Sequence, residues 1–385
     1  MTDPTPGPRR AVARERVLVV RTDSDGDVLL AGPAVRAVAR AARVTLLVSP
    51  EGQQAAGLLP GVDDVVVWPS PWNGYAPPPV DPAGTLELVA RLRDRRFGAA
   101  VVLTSFHQSA LPVALLLRLA GVTRISAVSV DYPGSLLDLR LPPASDPCHE
   151  VQRSLGVVAA AGYPPSPDDD GRLEVRRPLP AVGPLVRDVG RRGGFVVVHP
   201  GASVPARAPT REHAAEIASA LVAAGWPVAV TGGPGERDLT RFVAAAGAAG
   251  VAGEAGAGGR EPVVDLGGRT SLAELAAVLA AARCVVVGNT GPAHLAAAVG
   301  TPVVSLFAPV VDAGSWRPWR VPQVLLGDQQ APCRASRARA CPVPGHPCLS
   351  EVRPADVVTA VGALAGRPLT GRRAGGAPGP RGPAR

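Results

Sequence analysis

Between residues 17 and 129 the chain repeats one pattern: a short apolar run, a turn of small or polar residues, then a stretch with helical spacing. The runs are VLVVR (17–21), VTLLV (44–48), DVVVWP (64–69), AAVVLTS (99–105) and ISAVS (125–129). They are rich in β-branched residues and apolar at consecutive positions, which is the signature of parallel strands covered on both faces. After residue 141 the alternation stops. One helical stretch at about 147–161 gives way to proline-rich, polar sequence at about 165–190. It then restarts as GFVVVHPGAS, PVAVTGGPGE, VVDLGG, CVVVGNTGPAH and TPVVSLFAP, with helices expected at 210–224, 235–246, 271–281 and 292–299. The pattern predicts an α/β protein of two Rossmann-like, doubly wound parallel-sheet domains, at 15–165 and 191–365, joined by a linker at 166–190. Open α/β sheets keep their ligands at the strand ends, so two sheets in tandem set two such ends across a cleft.

Composition narrows the function. The 385 residues, 46% of them hydrophobic, suffice for two ordinary cores. No window approaches ~18 uninterrupted apolar residues and the N-terminus has no apolar core of a leader, so neither a membrane span nor a secretory signal is expected and the expected compartment is the cytoplasm. Residues 1–14 and the low-complexity tail 366–385 read as disordered. All 40 basic residues are arginine, a compositional bias that makes individual arginines uninformative. The net charge of +8 lies mostly at the ends: residues 1–16 hold four arginines against two acids, and residues 366–385 hold five against none. The near-neutral body argues against a nucleic-acid partner; the tails suit at most a weak, salt-screened peripheral contact with anionic lipid. A monomer is expected. Five cysteines do not make a disulfide scaffold. Cys333, Cys341 and Cys348, with His346 between the last two, form a zinc-capable set, but the spacing contains no CxxC and no metal is assigned.

Three strand-end motifs carry candidate chemistry. In GNTGPAHLAAAVG (288–300), Pro292 sits where a first helical residue belongs and Gly300 where the helix should end, and Gly291 leaves first-turn amides open to an anion. In VTGGPGE (230–236), Gly232 and Gly233 form a tight turn and Glu236 can accept hydrogen bonds from a ribose or base. In HPGASVPAR (199–207), Ser203 and Arg207 precede a helix, and a guanidinium there can neutralise a leaving phosphate. His199 reads as a packed strand-end residue. The first turn, RTDSDGD (21–27), is acidic where a dinucleotide loop would be glycine-rich.

Taken in order, VRTDSDGDVLLAGPAVRAV, HPGAS with Arg207, TGGPGE, the run from VVDLGGRTS to GTPVVSLF, and CPVPGHPC resemble glycosyltransferase family 9, the ADP-heptose:lipopolysaccharide heptosyltransferase family. The resemblance covers roughly residues 16–362 and is most specific at 265–307. It implies a GT-B fold with acceptor contacts mainly in the first domain and the nucleotide-sugar in the second, and inverting transfer that needs neither metal nor cofactor. It places the catalytic base on Asp27, whose carboxylate would take the proton of the attacking hydroxyl. Gly26 and Asp25 fall on the acceptor side; Asp23 and Asp25 read as solvated or capping residues, with Asp25 only a reserve base. The donor diphosphate falls to Thr290, Gly291, Pro292 and His294, with Ser203, Gly232, Gly233 and Asn289 around it, Glu236 meets the nucleoside, and Arg207 replaces the family's usual lysine. Asn289 stands where the family often has an aspartate, which removes one negative charge beside the donor sugar.

The implied reaction moves a heptose or related sugar from a nucleoside-diphosphate donor, ADP favoured, to a hydroxyl of a cell-envelope glycan or glycolipid. Two alternatives keep the same pocket: a nucleotide-sugar 2-epimerase, which would need no second acceptor, and a non-catalytic nucleotide-sugar-binding protein, against which Asp27 argues. A dehydrogenase is disfavoured, since no strand end carries GxGxxG with an acidic partner. Arg334, Arg337 and Arg339, within the cysteine segment, are expected on an anionic-acceptor or membrane-proximal surface.

Overall fold

The computed structural model describes residues 14–74, 76–144, 147–187, 189, 194–249 and 262–366. Nearly all of the two termini expected to be disordered lies outside these residues, as do residues 188 and 190 of the expected linker. Six parallel strands form the first sheet: β1 (Glu15–Arg21), β2 (Ala42–Val48), β3 (Val62–Val67), β4 (Ala99–Val102), β5 (Arg124–Val128) and β6 (Leu139–Leu141), in the order β3-β2-β1-β4-β5-β6. The second sheet repeats that order as β9-β8-β7-β10-β11-β12, from β7 (Val196–His199), β8 (Val228–Val230), β9 (Val263–Asp265), β10 (Cys284–Gly288), β11 (Val303–Leu306) and β12 (Gln323–Leu326). The α/β class with two doubly wound sheets is thus as expected. The strands β6 and β12 are absent from the sequence reading because both are short and none of their residues is fully buried, so neither carries a long apolar run.

The helices of the first half are α1 (Asp25–Leu30), α2 (Gly32–Ala39), α3 (Gln53–Leu58), α4 (Pro82–Asp94), α5 (Leu111–Leu119) and α6 (Glu150–Ala160). Those of the second are α7 (Gly183–Val186), α8 (Arg211–Ala223), α9 (Arg237–Ala249), α10 (Leu272–Ala281), α11 (Gly291–Val299), α12 (Ala313–Trp316), α13 (Pro347–Ser350) and α14 (Pro354–Ala365). Local signals set their ends. Ser271 caps α10 by accepting from the Glu274 N–H, and the Glu274 carboxylate accepts from the Ser271 N–H in return.

Side-chain alternation along the strands sorts the core into layers. In β1, Val17 and Val19 join an apolar cluster that runs on through α1, α2, α10 and α11 to Val285 and Val287 of β10. Leu18 and Val20 face the opposite way, onto α4 and α5, while Val196 and Val198 of β7 face α8, α9 and α14. One continuous core therefore spans the two halves. The proline-rich stretch after α6 forms no helix or strand over residues 161–182, yet it is strapped down: Arg36 grips Asp169 in a bidentate pair at 2.8 and 3.0 Å, and Trp319 Nε1 donates to the Gly171 carbonyl at 2.8 Å.

Gly300 ends α11 at φ 85°, a left-handed conformation open to glycine at little cost. Gly300→Ala should lower stability by about 1–2 kcal/mol, read as a lower urea midpoint at an unchanged m-value.

Candidate functional site

Strands β1 and β10 lie at the centres of their sheets, and the helices that follow them, α1 and α11, start at the points where strand order reverses. These two helices pack on one another across the halves. The contact is close: a Cβ added to Gly26 would stand 3.0 Å from Gly291 Cα and 3.2 Å from His294 Cδ2. A methyl group at Gly26 would crowd Gly291 and His294 by a few tenths of an ångström.

Beside this contact a cavity of about 660 Å³ opens between the two sets of strand ends. Asp25 and Gly26 line it from the first half; Ser203, Gly232, Gly233 and Glu236, with Thr290, Gly291 and Pro292, line it from the second. No side chain caps the first turn of α11, so its positive end is open toward an anion in this space. The Glu236 carboxylate takes the Gly233 N–H at 2.7 Å on Oε2 and lies 3.8 Å from His199 Nε2. His199 is buried, its Nδ1 paired with Thr231 Oγ1 at 3.0 Å, and burial holds its pKa below the ordinary value.

A second cavity of about 250 Å³ adjoins the first; Asp23, Ser24, Gly74 and Ser203 border both. Asp27 and Arg207 face it from opposite halves, with Phe106, His107, Trp316, Arg337 and Arg339 around them. Both Asp27 oxygens are held: Oδ1 accepts from Arg21 Nη2 at 3.1 Å and Oδ2 from Ser24 Oγ at 2.9 Å. Arg207 has its Nε buried without a hydrogen-bond partner among the described residues, and burial lowers its pKa against the pull of Asp27. The Arg337 guanidinium stands 5.8 Å over the Phe106 ring.

Two histidines packed between the halves are buried, and burial keeps them neutral at pH 7. Burial pushes His294 down to about 4, aided by His149 and Arg207 and opposed by Asp27; its Nδ1 is buried without a partner among the described residues. His149 is likewise pushed down to about 4 by burial. Asp25 rises to about 6 because burial outweighs the Ala55 N–H bonded to its Oδ1 at 2.9 Å.

The residues singled out in the sequence therefore fall into groups. The glycines and polar residues of the three second-half motifs share one cavity with Asp25 and Gly26, whereas Asp27 and Arg207 meet in the other. His294 lies beneath the contact of α1 with α11. Asn289 is turned away: its amide donates to the Ala308 carbonyl and accepts from the Ala308 N–H, both at 3.2 Å, tying β10 to the end of β11. Asp23, read as solvated or capping, is instead buried against Arg21 at 2.9 Å. Arg337 and Arg339 reach the second cavity, while Arg334 bonds Gln330 on the surface. Cys333 and Cys348 are buried free thiols, and no group of three or more His, Cys, Asp or Glu among the described residues is arranged to hold a metal ion. Arg21, Ser105 and Glu150 went unread. Their only signal was an arginine in a chain with 40 of them, and a serine and a glutamate distant in sequence.

The chain is similar to known proteins over much of its length. The family model for glycosyltransferase family 9 (heptosyltransferase) matches residues 85–346. Lipopolysaccharide heptosyltransferase 3 of Escherichia coli is 32% identical over 221 residues, which cover 57% of this chain and 57% of that protein. The chain spans about half the length (57% and 47%) of the two curated relatives it matches. The fold is shared with a glycosyltransferase family 9 protein from Veillonella parvula (TM-score 0.70, 15% identity, 92% of this chain and 98% of the other). It is shared also with E. coli heptosyltransferase WaaC with ADP (TM-score 0.61, 20% identity, 91% and 99%). The GT-B architecture follows, and this chain belongs to glycosyltransferase family 9.

Proposed function

We propose that this protein is an inverting, metal-independent glycosyltransferase that moves a heptose or related sugar from an ADP-linked donor to a hydroxyl of a glycan or glycolipid of the lipopolysaccharide type. The observation that carries the reading is the pairing of two adjoining cavities, one at the open end of α11 and one holding Asp27 opposite Arg207. ADP is favoured by the family resemblance and the sugar by the heptosyltransferase relative. In this reading residues 191–365 hold the donor and residues 15–165 the acceptor, and the protein is a cytoplasmic monomer that meets a lipid-borne acceptor only peripherally at the membrane surface. No helix among the described residues is long and apolar enough to cross a membrane.

The chemistry is a single displacement. The donor diphosphate lies against the α11 amides with Thr290, Gly291 and Pro292, and Glu236 meets the nucleoside. Asp27 accepts the proton of the acceptor hydroxyl as its oxygen attacks the anomeric carbon. The bond from that carbon to the diphosphate oxygen breaks, and its electron pair leaves with the nucleotide. Arg207 and the helix end offset the charge that develops there, a task that metal-independent transfer must assign to fixed groups. Neutral His294 can donate or accept a hydrogen bond but adds no charge.

With EDTA present, ADP should raise the melting temperature, by about 2.7 kcal/mol of stabilisation at a hundredfold excess over Kd, and GDP or UDP should do so less. Thr290→Ala and Arg207→Ala should weaken that response; loss of ADP binding in EDTA would sink metal independence. Asp27→Asn should bind ADP as wild type does and lose on the order of 10²-fold or more in transfer, measured as ADP released from ADP-heptose with heptose-deficient lipopolysaccharide as acceptor.

The histidines set a pH test. His294 titrates at about 4 when folded, below its ordinary value near 6.5, so its stabilising neutrality is intact above about 6.5 and is lost as pH falls toward 4. After correction for any offset at pH 7.5, His294→Gln should gain about 2 kcal/mol on wild type between pH 7.5 and 4.5, measured by urea unfolding. A constant difference across that range would show that His294 is not held neutral.

A further inference from the structure

At the end of β1 one guanidinium is wholly enclosed. Arg21 is 1% exposed and each of its three nitrogens meets an acid. Nε lies 2.9 Å from Asp23 Oδ2, Nη2 lies 3.1 Å from Asp27 Oδ1 and 2.9 Å from Ser105 Oγ, and Nη1 lies 3.5 Å from Glu150 Oε2. Burial works against the cation, but Asp23, Asp27 and Glu150 outweigh it and hold its pKa above the ordinary value. Arg21 borders neither cavity, so it reaches no bound sugar or nucleotide.

We propose that Arg21 is the positioning residue for Asp27, fixing the carboxylate in one orientation through a planar fork that Asp23, Ser105 and Glu150 hold from behind. The proposal rests on the reading of Asp27 as the base. A guanidinium is flat and rigid, so hydrogen bonds from Nη1 to Glu150 and from Nη2 to Ser105 and Asp27 fix its plane, with Asp23 adding charge beside Nε but no hydrogen bond, and the plane fixes where Oδ1 sits. With Oδ2 held by Ser24, neither oxygen of Asp27 is left to swing. A hydroxyl entering the second cavity therefore meets a carboxylate already in place, which is the condition for efficient proton removal.

The cluster also reaches the opposite half. Glu150 is the first residue of α6, and the residue before it, His149, pairs its Nε2 with the Arg317 carbonyl at 2.9 Å and stacks on Trp319 at 4.4 Å. Gln108 holds Asp23 from the loop after β4. Arg21 is thus clamped by the β1–α1 turn, α1, the β4–α5 loop and α6, and the start of α6 is itself docked on the second half. Lysine in its place would keep the charge but lose the fork.

The test is a double-mutant cycle of Arg21→Lys with Asp27→Asn, assayed with ADP-heptose as donor and heptose-deficient lipopolysaccharide as acceptor. Arg21→Lys should lower kcat about tenfold or more while the donor KM and the calorimetric Kd for ADP stay within about twofold, because the lost term belongs to the transition state. Asp27→Asn should cost on the order of 10²-fold, and the double variant should be no slower than Asp27→Asn alone, since Arg21 acts through Asp27. Costs that multiply in the double variant would overturn the proposal. So would a fall in melting temperature with kcat intact, which would mark Arg21 as structural only. If Arg21→Lys fails to fold, Glu150→Gln, which keeps a hydrogen-bond acceptor for Nη1, takes its place in the cycle under the same expectations. Full activity in Asp27→Asn would remove the base assignment and this proposal with it; an inactive Asp27→Asn beside a fully active Arg21→Lys would remove this proposal alone.

Discussion

Everything at the centre of this protein depends on two helix starts that touch. Gly26 at the start of α1 lies against Gly291 at the start of α11, so close that a methyl group on Gly26 would stand 3.0 Å from Gly291 Cα. Each helix leaves its own sheet at the position where strand order reverses, so the contact brings two ligand-binding ends together across one seam. Because the halves meet backbone to backbone, residues one position away are driven to the sides. Asp25 faces the larger cavity and Asp27 the smaller, although only Gly26 separates them.

The groups packed into that seam are buried, and burial governs their electrostatics. His294 and His149 lose their protons there, since a buried imidazolium without a carboxylate partner is costly. Asp25 is raised by the same cause. Arg21 is the exception, a cation that survives burial because three carboxylates surround it. The geometry sorts like from unlike: neutral imidazole under the seam, carboxylate and guanidinium facing each other across the small cavity, and an uncapped helix end in the large one. In the proposed displacement at a sugar carbon, such an arrangement would keep the proton acceptor apart from the groups that offset negative charge.

The fold was legible where the physics is local. Consecutive β-branched residues such as Val196 to Val198, or Val285 to Val287, can be buried on both faces only in a covered parallel sheet, so strand type and fold class follow from them. Gly300 marked the end of α11 for an equally local reason. The strands β6 and β12 were illegible because they run for only three and four residues, none of them fully buried. Among the candidate site residues, those on strand-end turns could be read as a group, since a turn that opens a helix keeps its identity wherever the helix goes. Asn289 shows the limit: it sits between Gly288 and Thr290 in such a turn, yet its amide is committed to the backbone of Ala308.

What the sequence by itself determined is the repeated alternation of strand and helix, the helix ends, and the motifs that assign the chain to its family. These are properties of short windows, and short windows suffice for burial periodicity and capping. What only the tertiary structure decided is which groups share an environment. Arg21 and Glu150 stand 129 positions apart, and nothing near either of them in the chain announces the other. Their pairing arises from packing within the first half, whereas the burial that strips His294 of its charge and the division of Asp25 and Asp27 between two cavities arise from packing one half against the other. Electrostatic free energy depends on distance through space and on the loss of water, and neither is written at a single position in the chain.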